Sequence, residues 1–224
     1  MVAADTTTTQ LTELETGKSK LATPGPNPQP LAPSPDSRLM QRIKTQWGAH
    51  IQEACKYSSV PQEFLAALIA NESGGDPQAK RFEKAVYNKL LRIHQGAPEH
   101  YGPLTAETLR AAADEALRDW ATSWGLTQVM GYHVARRPGG IKILLNPKSH
   151  LNFALGLLAE FAERFGLRVT LEFEEMFRCW NTGGPYKETY DPKYCERGLA
   201  RMKIYHALAR EESGVRSQEP GAKS

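Results

Sequence analysis

No stretch of this 224-residue chain approaches the roughly 20 consecutive apolar residues that a bilayer span requires. No CxxC, HExxH, GxSxG, P-loop or dinucleotide fingerprint occurs, and the six histidines are scattered. Neither a metal site nor an organic cofactor is therefore expected. The net charge is only +3, and no predicted helix carries a dense Lys/Arg face, which argues against nucleic acid as a partner. The N-terminus, MVAADTTTTQLTELETGKSK, has neither a basic start nor an apolar h-region, so a secretory signal is not expected. Cysteine is scarce: Cys55 falls on the stripe Met40, Ile43, Trp47, Ile51, Cys55 and reads as a buried thiol. Cys179 and Cys195 flank one loop, and sequence leaves open whether they pair in an oxidising compartment.

What is present is the composition of a globular protein, with 40% hydrophobic and 24% charged residues. Residues 1–36 are poor in large apolar groups, and ATPGPNPQPLAPSPDS reads as an extended proline-rich tether. The folded part is expected over 37–211, with a polar tail at 212–224. Helices are predicted from Ser37 to Tyr57, over 61–73, over 82–94 with Phe82, Val86, Leu90 and Ile93 on one side, and over 105–121 with Thr105 as cap. Residues 147–165 carry the clearest amphipathic pattern. Thr170 is expected to cap a shorter helix through Phe177, and Asp191-Pro192 to open the last. Leu167–Thr170 is the one strand candidate. The expected fold is mainly α, with little or no β-structure, and a monomer.

One residue breaks the pattern. In AALIANESGGDP, Glu72 falls four residues after Leu68 and three after Ile69, so it continues the apolar face of a helix that Ser73-Gly74-Gly75 then ends. Desolvation and the negative end of the helix dipole both raise the pKa of such a carboxyl, toward the range of a general acid near neutral pH. Glycosidic cleavage needs that acid, because the leaving oxygen must be protonated. A carboxylate that pairs with an arginine or caps the following loop is the structural alternative.

Two further stretches bear on the choice. SWGLTQVMGYH, residues 123–133, offers Trp124 as a flat face and Gln128 as both donor and acceptor. FRCWNTGGPY, residues 177–186, ends a helix and is expected to set Trp180 and Asn181 in a tight loop. In this order, NESGGDPQA, GLTQVM, CWNTGGP and a late helix around Tyr194 resemble the soluble lytic transglycosylase domain, related to goose-type lysozyme. The resemblance covers roughly residues 45–210. It implies a lysozyme-like fold that cleaves the β-1,4 bond between N-acetylmuramic acid and N-acetylglucosamine in peptidoglycan strands, leaving a 1,6-anhydro end. Glu72 would be the acid and base, Ser73 would support it, Gln128 and Asn181 would bind the glycan with Trp124 and Trp180 as platforms, and Tyr194 would sit near the reacting centre.

The chain also departs from the family pattern. Thr127 stands for the methionine of the Gly-Leu-Met-Gln turn, Cys179-Trp180 for Ala-Tyr, and Thr182 for the second alanine of the Ala-Tyr-Asn-Ala-Gly loop. A segment of about residues 80–121 is inserted between Glu72 and the turn. It brings Glu83, which with Asp76 is a candidate second carboxylate for a hydrolytic muramidase, unless Glu83 caps its helix or pairs with Arg81 or Arg92. A wall-binding module without chemistry is the reading from another class. Without a signal, the resemblance implies release to the wall by another route, as for phage lysins, and the tether suits attachment to a virion or secretion assembly.

Overall fold

The structure, a computed structural model, describes residues 33–216, with side chains through Glu211. All but the last residues of the expected tether, and the end of the expected tail, lie outside the described residues. Ser34 starts the first helix by accepting a hydrogen bond from Ser37 N–H, with Pro35 preset for the first turn. Helix α1 (Pro35–Cys55) buries the stripe Met40, Ile43, Trp47, Ile51 and Cys55, as its spacing predicts.

Helix α2 (Gln62–Glu72) is buried all round from Phe64 to Ala70. A helix apolar on every side must lie at the centre of its domain. It packs chiefly against α9 (Tyr194–Arg216) and α1. Helices α7 (Pro147–Phe165) and α8 (Phe173–Thr182) complete the shell through Leu151, Leu155, Leu158, Met176 and Phe177. Each large aliphatic side chain so buried stabilises the fold by about 1.5–3 kcal/mol. Leu65 and Leu68 are fully buried, so the position of the C-terminal end of α2 is firmly set.

The segment expected as an insert, about residues 80–121, has its own apolar centre. Helices α3 (Lys84–His94), α4 (Ala106–Arg110) and α5 (Asp114–Trp120) bury Leu90, Ile93, Leu104, Leu109 and Leu117. It is joined to the rest by a small antiparallel sheet in the order β1 (Lys80–Phe82), β2 (Thr122–Trp124), β3 (Val129–Met130). Lys80, Arg81 and Phe82 pair with Trp124, Ser123 and Thr122. A third cluster, with Val129, Val134, Leu144, Ala154 and Leu157, packs the short helix α6 (Lys142–Leu145) on α7.

Several expectations are corrected. Phe82 does not open a helix; it lies in β1 with 44% of its surface exposed. The stretch expected as one helix over 105–121 breaks at Ala111–Ala113 into α4 and α5, although Thr105 does cap the first. Leu167–Thr170 is not a strand but the turn after α7, which Gly166 ends in the left-handed conformation. Thr170 caps nothing: α8 begins at Phe173 and runs past Phe177 to Thr182, with left-handed Gly183 as its stop. Trp180 and Asn181 therefore stand on the last helical turn and not in a loop. Cys55, Cys179 and Cys195 are all buried free thiols, so Cys179 and Cys195 do not pair.

Candidate active site

The end of α2 is laced to the turn between β2 and β3. Ser73 Oγ donates to Leu126 O at 2.7 Å and accepts from Gly75 N–H at 3.2 Å. Trp47 Nε1 donates to Gly75 O at 2.9 Å, which fixes the loop to α1. Glu72, one residue before Ser73, accepts a hydrogen bond at Oε1 from the Tyr194 hydroxyl. Asn71 holds Tyr194 there. Its amide donates to Tyr194 O at 3.0 Å, and its oxygen accepts from Arg201 Nη1 at 2.8 Å. Arg201 in turn pairs with Asp36 at 2.8 Å, so α1, α2 and α9 are tied at the point where Glu72 meets Tyr194.

Burial pushes the Glu72 carboxyl from its ordinary 4.5 up to about 7; the Tyr194 bond and the nearby Arg81 guanidinium hold it back in part. Tyr194 is driven well above its ordinary value by burial and by Glu72, and so stays a donor at neutral pH. The pair is thus a carboxyl poised between its two states and a phenol fixed in one.

The turn Gly125–Gln128 is the second part of the site. Gly125 adopts φ +67°, and a Cβ there would stand 2.8 Å from His150 Nδ1 and 2.9 Å from Leu144 O, so only glycine fits. Gln128 is the one non-glycine residue at positive φ (53°) among the described residues. Such a conformation costs about 1 kcal/mol or more, and the side chain offsets it locally. Its Oε1 accepts from Ser123 Oγ at 2.8 Å, and its Nε2 donates to Ala79 O and Gly125 O, each at 3.0 Å. Both amide hydrogens of Gln128 are thus committed to the protein.

Thr127, where the resembled turn has methionine, is anchored from below by His150. Its N–H donates to His150 Nε2 at 3.1 Å, and its hydroxyl lies 2.8 Å from the same nitrogen. Since Nε2 accepts the backbone N–H, Nδ1 carries the proton and donates to Leu144 O at 3.0 Å. Burial holds this imidazole down at about 4, and it is neutral. Trp180 Nε1 donates to Thr127 O at 3.0 Å, which joins α8 to the same turn.

Beside the turn lies a cavity of about 250 Å³, lined by Gln128, Tyr132, His133, Trp180, Asn181 and Thr182 among others. Asn181 Oδ1 is buried without a hydrogen-bond partner among the described residues. An acceptor so placed costs about 1–3 kcal/mol unless something donates to it. Trp124 is not on this cavity; it is half-buried on β2 with Nε1 bonded to Asp119 O at 3.1 Å.

The candidate second carboxylates have other partners. Glu83 sits just before α3 and is paired with Arg81 Nε at 2.5 Å. Asp76 is exposed and accepts from Gln78 N–H at 2.8 Å. Among the described residues no group of three His, Cys, Asp or Glu could hold a metal ion.

The family model for the transglycosylase SLT domain matches residues 49–184. The chain belongs to this family. No curated protein and no solved structure matches it. The SLT match spans Glu72, Ser73, the Gly125–Gln128 turn and Asn181, whereas Tyr194 and the whole of α9 lie beyond it. Membership makes this a peptidoglycan-acting transglycosylase domain in general terms. No described helix is long and apolar enough to cross a membrane. The contributions of His150, Asn71, Arg201 and Arg81 to this candidate site were not legible in sequence. A lone histidine on the apolar face of α7 carries no signal of its own, Asn71 and Arg201 act through partners 123 to 165 residues away, and Arg81 acts on Glu72 through proximity alone.

Proposed function

We propose that the protein is a lytic transglycosylase that cleaves the N-acetylmuramyl-β-1,4-N-acetylglucosamine bond with Glu72 as its single acid and base. The observation that carries this reading is the Glu72–Tyr194 pair, in which burial holds the carboxyl at about 7 beside a phenol donor. In the protonated form, Glu72 gives its proton to the leaving glycosidic oxygen as the C1–O bond breaks. The carboxylate left behind keeps the Tyr194 hydrogen bond, which favours that charged form. It then takes the proton of the muramyl C6 hydroxyl while O6 bonds to C1. The 1,6-anhydro ring closes, the carboxyl is restored, and no water is consumed.

The remaining parts serve orientation. Ser73 holds the end of α2 against the turn, and Gln128 stiffens the turn while bordering the cavity. Asn181 Oδ1 would accept from an N–H or O–H of the glycan, which supplies the donor it lacks. Trp180 lines the cavity with its indole N–H already committed, while Trp124 stands off it, bonded to Asp119 O. A hydrolytic route needs a carboxylate free to activate water, and Glu83 is engaged by Arg81. The delivery route to the wall, with the proline-rich tether as an attachment to a virion or secretion assembly, belongs to the same proposal.

Digestion of purified peptidoglycan by the wild type and by Glu72→Gln separates this proposal from a non-catalytic wall-binding module. The wild type should release soluble fragments; Glu72→Gln should release none yet sediment with the walls equally well. Folded wild type that binds walls and releases nothing would rule the enzyme out.

A further inference from the structure

The loop from Gly183 to Lys193 joins two parts of the site. It begins beside Asn181 and Thr182 on the cavity and ends at Tyr194 on Glu72. It carries two tyrosines, Tyr186 and Tyr190, which are 87% and 95% exposed. Single exposed aromatics on a protein surface need no explanation. Two of them, on a loop that enters and leaves the catalytic site, are a different case.

The loop is also held in shape, and its fastenings bracket both tyrosines. Thr182 Oγ1 donates to Arg178 O or to Gly184 O, each at 2.9 Å, and accepts from Gly184 N–H at 3.3 Å. Arg178, itself paired with Glu174 at 2.7 Å, donates through Nη1 to Lys187 O at 3.2 Å. Thr189 Oγ1 donates to Asp191 O at 2.7 Å, and Asp191 is fixed by Lys193 N–H at 2.9 Å and Arg197 at 2.6 Å. Tyr186 thus stands between the fastenings at Gly184 and Lys187, and Tyr190 between Thr189 and Asp191. The first fastening depends on the Thr182 hydroxyl, which the alanine of the family pattern lacks.

Among the described residues the two rings pack on nothing, yet the backbone that carries them is fastened on both sides. Tyrosine has only two side-chain torsions to fix, so a prearranged pair costs little entropy on binding. A pyranose offers a matching surface, because its axial C–H bonds form an apolar face while its hydroxyls stay at the edge. A glycan strand running out of the cleft presents such faces one after another.

We propose that loop 183–193 is a rigid aromatic subsite on which Tyr186 and Tyr190 stack against sugar rings of the glycan strand beyond the scissile bond. The ligand is the glycan and not the stem peptide, and the inference rests on the peptidoglycan reading above. The subsite anchors long strands and contributes nothing to the bond-breaking step itself.

The test uses the full chain carrying Glu72→Gln, so that binding is read without turnover, and peptidoglycan glycan strands stripped of their peptides by an amidase. Adding Tyr186→Ala and Tyr190→Ala should weaken binding to these strands roughly tenfold, the loss expected for two modest aromatic contacts. Adding Tyr186→Phe and Tyr190→Phe instead should leave affinity within about twofold, since the ring faces remain. The unfolding midpoint should not move in either case, because neither side chain is packed. Equal binding by the alanine pair overturns the proposal, and so does a phenylalanine pair as weak as the alanine pair. A Glu72→Gln parent that binds no peptide-free strand overturns it too. Failure of the catalytic reading appears elsewhere, as absence of fragments in the wild-type digestion.

Discussion

Replacing Glu72 by Gln should stabilise the protein, and only at pH values where the wild-type carboxyl is asked to ionise. The carboxyl is held above its ordinary value, so the folded state binds its proton more tightly than the unfolded state. Below pH 4.5 both states are protonated and burial imposes no ionic cost. As pH rises from 4.5 to about 7 the wild type loses stability, and above 7 the loss is complete. The gap between 4.5 and about 7 corresponds to about 3 kcal/mol. Glutamine keeps the shape and can still accept from Tyr194, but it never ionises. Thermal unfolding at pH 8 should therefore place Glu72→Gln roughly 5–10 °C above the wild type, given the usual entropy of unfolding for a domain of this size. At pH 4 the two midpoints should nearly coincide. A variant equal to or less stable than the wild type at pH 8 would refute the claim that Glu72 is a costly buried acid retained for chemistry.

Tyr194→Phe removes the bond that holds the Glu72 carboxyl down, so the alkaline limb of the pH–rate profile should move upward while kcat falls roughly 10–100-fold, as for a lost hydrogen bond to a charged group. His150→Ala strips Thr127 N–H of its acceptor and opens a cavity beneath the turn, and should cost about 3–4 kcal/mol in denaturant unfolding. Because the imidazole titrates at about 4, below its ordinary 6.5, its contribution is fully present above pH 6.5 and is lost as pH falls through 4; the gap between wild type and variant should narrow accordingly. Glu83→Gln should change the released fragments in amount by less than about tenfold and not in kind, since the pairing with Arg81 is an exposed one; loss of all activity would point to hydrolysis through Glu83.

The readable parts of the sequence were those with length and a period. Helix α7 was legible at both ends, since Pro147 opens it, Gly166 closes it and Leu151, Ala154, Leu155 and Leu158 face the core between them. Glu72 could be found because it continues the apolar run of a helix that visibly stops. The sheet could not be read, because strands of three and two residues are too short for alternation and every residue of β1 is exposed. The break between α4 and α5 falls at Ala111–Ala113, without Gly or Pro to mark it. Extension of α8 to Thr182 was hidden for the opposite reason: the sequence through Trp180 and Asn181 suits a helix or a loop, and only Gly183 decides. In the site, residue types were legible but their allegiance was not. Gln128 reads as a ligand-binding amide, yet its hydrogens serve Ala79 and Gly125.

The central claim is that one carboxyl performs both halves of the reaction and that water takes no part. Peptidoglycan digested by the wild type in heavy-oxygen water, with the soluble fragments weighed by mass spectrometry, tests it most directly. The account predicts anhydro-ended fragments, each lighter by one water than the hydrolytic product and free of the isotope. Reducing ends that carry the heavy oxygen would contradict it.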